Sequence, residues 1–221
     1  MTSHLLWIAP LTPFAVGLVM LLVRDRRLLA ALDVAGSVTV LGLGAAVARL
    51  VSAHGAVSAL GVFRADDVAV LFLLLIGLLA VAVSVATIGW MRRELARGHM
   101  RADRLHWYFA LVQGFVATMV VTVLSDNLGI LWIAMEGTTI TSALLVGFHG
   151  DKHGLEAAWK YIIVTTIGIS FGLFGTVLVY GAAAHSQGGV PAREKAPMRR
   201  SVPAMGASPR KPFMSRMSRV P

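Results

Sequence analysis

Cysteine is absent from the chain, which rules out disulfide bridges, thiolate metal sites and iron–sulfur ligation by its own side chains. Charge is scarce: Asp, Glu, Lys and Arg make up 14% of the 221 residues, and the acids number 11. A soluble domain carries roughly 25% charged residues; this chain is instead 57% hydrophobic, with a mean hydropathy of +0.74. A phosphate-binding P-loop, a dinucleotide glycine fingerprint and a histidine cluster at metal-ligand spacing are also missing. His149 and His153 are four apart but straddle Gly150 and Gly154, a poor frame for a metal pair. No soluble enzyme, resident cofactor or metal site is therefore expected. What is present fits an all-α polytopic membrane protein embedded in the lipid bilayer.

Six apolar runs are long enough to span, near residues 5–23, 28–51, 66–90, 107–124, 127–148 and 156–182. No basic residue precedes the first run and Arg24, Arg26 and Arg27 follow it, the reverse of a signal peptide. It reads as an uncleaved helix with its N-terminus outside, bent or delayed by Pro10 and Pro13. In the second run, Asp33 lies within sequence reach of those arginines and is expected to form a structural ion pair, with a proton-path role as the alternative. Its Gly and Ala residues read as a close-packing face. Ser52 to Arg64 reads as a Gly/Ala-rich loop. Trp90, Trp107 and Tyr108 suit the aromatic belt, and the loop holding Arg92, Arg93, Arg97, Arg101 and Arg104 belongs in the cytoplasm by the positive-inside bias. Gln113 is expected to make an interhelical hydrogen bond. Ser125–Asn127 leaves room for a tight turn alone, so the fourth and fifth helices should pack together.

The fifth run, NLGILWIAMEGTTITSALLVGF, holds one carboxylate, Glu136, about ten residues, or 15 Å, from either end. A charge at that depth costs about 2.5–3.5 kcal/mol on insertion scales, so it calls for a function or a partner. Three readings stay open: a buried carboxyl bonded to a neighbouring helix, a contact for a polar ligand, or a relay that takes up and releases a proton as a cation moves near it. Thr138, Thr139, Thr141 and Ser142 spread polarity around this helix and point to a place inside a bundle with little lipid-facing surface. On the sixth run Glu156 and Lys160 stand four apart, acid first, as in a helix-surface pair with the lysine snorkelling to water. The Gly168-x-x-x-Gly172 spacing is a weak helix-contact signal.

The transmembrane region is bounded at 1–184. Residues 185–221 hold eight Lys/Arg against one acid and six of the eight prolines, a composition that cannot bury enough surface to order itself. This tail accounts for +7 of the net charge of +9, so the chain's basicity does not argue for nucleic acid as a partner. Six spans would leave the basic tail outside, against the positive-inside bias. It reads as an out-of-frame or readthrough addition to a truncated membrane protein; the alternative is a tail that binds anionic lipid or nucleic acid.

LWIAMEGTTITSALLVGFHGDKHGLEAAWKYIIVTTIGISFGLFGTVLVYGA resembles the fifth and sixth helices of the antiporter-like membrane subunits shared by respiratory complex I and group 4 hydrogenases, most of all the component F type of hydrogenase 4. FRADDVAVLFLLLIGLLAVAVSVATIGWMRREL is similar to the third helix and following loop of that family. The resemblance implies a parent fold of about fourteen helices, with two inverted repeats of about five helices each and an ion path near the midplane. It implies that Glu136 and Lys160 are proton-relay groups; Asp33 and Glu156 are further structural or relay positions on the reading of the residues alone. It also implies a multi-pass subunit of the bacterial or archaeal cytoplasmic membrane that moves protons beside other membrane subunits of a respiratory or hydrogenase complex, with redox chemistry on those partners. A subunit of a multi-subunit cation/proton antiporter and a non-functional truncated fragment are the alternatives.

Overall fold

The computed structural model describes residues 2–96, 104–148 and 150–188; the tail from residue 189 and His149 lie outside them. Six helices form in order: α1 (Thr2–Leu22), α2 (Arg26–His54), α3 (Asp67–Ala96), α4 (Leu105–Leu124), α5 (Leu128–Val146) and α6 (Lys152–Gly188). Each is long and apolar enough to cross a membrane. The packed unit extends to Val177, and residues 178–188 continue α6 as helix.

Capping residues set the helix ends. The Asp25 carboxylate accepts from the Arg27 N–H (2.8 Å) and starts α2. Asp66 accepts from Ala69 N–H (2.9 Å) ahead of α3, and Asn127 accepts from Gly129 and Ile130 ahead of α5. Each side chain satisfies donors that a helix start leaves open. Pro10 and Pro13 lie inside α1 and do not delay it; the helix already runs from Thr2.

The expected loop at Ser52–Arg64 contains a small hairpin. Strands β1 (Val57–Ala59) and β2 (Phe63–Ala65) pair antiparallel, Ser58 opposite Arg64. Leu60 (φ 54°) and Gly61 (φ 67°) turn the chain between them with the positive φ of a tight hairpin turn. Phe63 packs edge-on to Trp7 of α1, ring centroids 4.9 Å apart. Val62 C=O accepts from Asp126 N–H at 2.8 Å, which ties the hairpin to the α4–α5 turn.

Two apolar clusters fill the core at different heights. One, nearer the hairpin, contains Leu6, Val40, Val47, Leu73, Ile76, Val116, Val120 and Leu124. The other, nearer the arginine-bearing ends, contains Met20, Leu29, Met91, Leu105 and Phe109. Between them α2, α3 and α4 each contribute buried polar groups, Asp33 and Ser37, Ser84, and Gln113. Close approach makes this packing possible: a Cβ on Gly77 of α3 would lie 2.7 Å from the Leu41 Cα of α2. Of the glycines expected to form a packing face on α2, Gly36 and Gly44 meet neighbours, whereas Gly42 faces open space.

Helix α5 packs on α4 as the short turn requires, with Gly137 against Thr118. Its other side is less enclosed than expected: Ile133, Ile140 and Leu144 form an exposed stripe, and the buried residues of α5 are Ala134, Thr139 and Ala143. The hydroxyls that pointed to a bundle interior are used locally. Thr138, Thr139 and Thr141 donate to the carbonyls of Ala134, Met135 and Gly137, four residues back, an arrangement that satisfies a hydroxyl within its own helix.

Candidate functional site

Two polar constellations lie at membrane depth. The first joins α5 to α6. Glu136 is half-buried, eight residues from the start of α5 and ten from its end, or about 12 and 15 Å at the helical rise. The Thr166 hydroxyl of α6 donates to Glu136 Oε1 at 3.3 Å. On one side of this contact Ser142 hydrogen-bonds the Tyr161 hydroxyl at 3.0 Å. On the other, the Trp132 ring lies over Gly172, where a Cβ would come within 3.1 Å of it. Gly168 and Gly175 meet nothing, so of the three glycines one makes the contact, and its partner is an aromatic ring on α5.

Lys160 does not share this site. Its ammonium pairs with Glu156 on the same helix, and both side chains are largely exposed, 70% and 58%. Lys160 precedes Thr166 by six residues, about 9 Å along the axis and some 120° around it. The structure thus sets Glu136 against a hydroxyl and Lys160 against a carboxylate.

The second constellation is more deeply enclosed. Asp33 is 1% exposed and Gln113 is 0% exposed. Gln113 Nε2 donates to Asp33 Oδ1 (2.8 Å) and to the Asp33 backbone carbonyl (3.1 Å), and lies 3.4 Å from the Ser37 hydroxyl. Ser37 in turn hydrogen-bonds Ser84 of α3 at 2.8 Å. Gly17 and Gly36 make the space: a Cβ on Gly36 would lie 3.3 Å from Gln113 Nε2, and one on Gly17 would lie 3.4 Å from Gln113 Cβ. The interhelical bond expected of Gln113 is present. The ion pair expected between Asp33 and the Arg24–Arg27 cluster is not formed, because Asp33 sits seven residues beyond Arg26, about 10 Å deeper along α2, on the stripe that faces α4. Sequence reading missed Ser37, Ser84 and Thr166. Ser37 carried a usable signal, since it follows Asp33 by four residues, one turn, on the same buried stripe of α2.

Among the described residues no group of His, Asp and Glu is placed to hold a metal ion; His149 of the His149–His153 pair lies outside them.

Residues 125–188, the α4–α5 turn with α5 and α6, match the family described as NADH:quinone oxidoreductase/Mrp antiporter, TM. The hydrogenase-4 component F homolog of Methylacidiphilum infernorum is 31% identical over 121 residues, covering 55% of this chain and 25% of that protein. NADH-quinone oxidoreductase subunit L of Escherichia coli is 36% identical over 111 residues, 49% of this chain and 18% of that protein. Subunit N of Chlorobium chlorochromatii is 28% identical over 130 residues, 57% and 24%. The α5–α6 stretch thus resembles the antiporter-like membrane region of that family. The chain spans a quarter or less of the length of these relatives. The stretch matched to the antiporter-like family contains Glu136, Thr166, Glu156 and Lys160, whereas Asp33, Ser84 and Gln113 fall before it.

Proposed function

We propose that this chain supplies the Glu136-bearing part of a proton-translocating membrane subunit in a complex I-like NADH:quinone oxidoreductase or hydrogenase-4-type complex. The observation that carries the reading is Glu136 itself, a carboxyl near the middle of a spanning helix whose hydrogen-bond partner stands on the next helix. A group so placed exchanges a proton with whatever polar chain reaches it, and its distance from both helix ends keeps it out of free contact with bulk water. Glu136 is the relay and Lys160 a second relay group that acts after leaving Glu156. The chain brings no redox centre; electron transfer belongs to partner subunits.

The positive-inside bias orients the subunit. Arg26, Arg27 and Arg92 line one cavity at a single end of the bundle, which favours a cytoplasmic position for that end and an outside N-terminus, in the bacterial or archaeal cytoplasmic membrane. The cation/proton antiporter reading is not favoured, because the similar proteins carry the names of NADH-quinone oxidoreductase and hydrogenase subunits.

Affinity purification of the tagged chain from its native membrane tests the assignment. Redox subunits are expected to co-purify, and vesicles of the same membrane should acidify on addition of the electron donor without a sodium requirement. Recovery without redox subunits, together with sodium-dependent transport, would overturn it.

A further inference from the structure

The Asp33–Gln113 contact is incompletely satisfied in an informative way. Gln113 gives its amide hydrogens to Asp33 and, at longer range, Ser37. Two oxygens of the same pair are left buried with no partner: Asp33 Oδ2 and Gln113 Oε1. Both are acceptors when the carboxyl is ionised, so neither can satisfy the other. An ionised carboxylate here would also be a buried charge without a cation, an arrangement that costs several kcal/mol. One proton on Asp33 removes both difficulties, since a carboxylic acid and a primary amide are complementary: amide N–H to acid C=O, acid O–H to amide C=O. The observed 2.8 Å bond is the first half of that pair.

A cavity lies close to the pair. About 580 Å³ in volume, it opens between the ends of α2, α3 and α4, lined by Arg26, Arg27 and Arg92 and floored by Ala30, Ile88 and Phe109. Asp33 lies three residues beyond Ala30, Ser84 four before Ile88 and Gln113 four beyond Phe109. The polar layer is therefore one helical turn, about 5 Å, beneath the cavity floor on all three helices. Three guanidinium groups at the mouth oppose entry of metal cations.

We propose that Asp33 and Gln113 form a second proton-holding site, an acid–amide pair filled from the arginine-lined cavity and distinct from Glu136. The groups facing it are Gln113 and Tyr108 of α4, Ser84 and Thr87 of α3, Ser37 of α2, and at the cavity Arg26, Arg27 and Arg92. α1 contributes Val16 and Gly17, which carry no charge. The site adds a proton position to the translocating role proposed above, but its occupancy does not depend on that role.

Infrared spectroscopy of the full chain in lipid membranes tests the inference. The unsubstituted chain at neutral pH is expected to show the C=O stretch of a hydrogen-bonded carboxylic acid that shifts on exchange into D2O, disappears in Asp33→Asn and persists in Glu136→Gln. Gln113→Leu, which retains Asp33, should move the band to the position of a free acid, so the inference remains testable if Asp33→Asn fails to fold. Absence of any Asp33-dependent acid band would overturn the proposal, as would a band that sodium ions abolish. Loss of proton pumping in Glu136→Gln or its retention bears on the relay alone and leaves this result where it stands.

Discussion

Gln113 of α4 donates to both the side chain and the backbone carbonyl of Asp33 on α2, at 2.8 and 3.1 Å, with both residues essentially sealed from solvent. This contact replaces hydrophobic packing at one level of the core, between an apolar cluster above and another below. A bond of this kind matters mainly through what its loss leaves behind.

Gln113→Leu strips Asp33 of its donor and should lower stability by about 1–3 kcal/mol, the penalty for orphaning a buried polar group. Adding Asp33→Val removes the orphan as well, and the double variant should recover most of the loss. Unfolding titrations of the four combinations in detergent give the coupling directly; strictly additive losses would mean that the pair acts through volume alone.

Gly77→Ala should destabilise by about 1–3 kcal/mol, the range for overpacking, because the new methyl would meet the Leu41 Cα at 2.7 Å and two backbones must part. Gly42→Ala on the opposing helix meets nothing within 4 Å and should be neutral or slightly stabilising. Thermal unfolding of the two variants side by side checks the difference.

Lys160→Gln should change stability by no more than about 0.5 kcal/mol, because the Glu156–Lys160 pair is an exposed contact one turn apart on a helix. Any large loss of proton movement in this variant then reports on the charge rather than on folding, which parallel melting and pumping measurements will separate.

Thr166→Val removes the hydroxyl that meets Glu136 Oε1 at 3.3 Å and should lower pumping less than removal of the carboxyl does, with Thr166→Ser close to the unsubstituted rate. Equal pumping in all three would mean that the contact does not tune the relay.

The six spans were readable in the sequence because a run of about 20 apolar residues has few other uses, and Glu136 stood out as the carboxylate in the middle of one. Its partner was not readable: residues 136 and 166 meet through the antiparallel course of α5 and α6, and Thr166 has no mark that separates it from Thr165. Asp33 was read against the nearest opposite charge in sequence, but helical geometry carries it two turns away from Arg26 and turns it toward α4. The hairpin escaped because strands of three residues are too short to show a period against a Gly- and Ala-rich background. Polarity misled on α5, where threonines can satisfy themselves on their own helix and do not require a surrounding bundle.

The proton-to-electron ratio of the assembled complex carrying Glu136→Gln is the most direct measurement of the relay. With assembly and electron transfer intact, the ratio is expected to fall well below that of the unsubstituted complex. An unchanged ratio would contradict the assignment of Glu136 as a proton carrier.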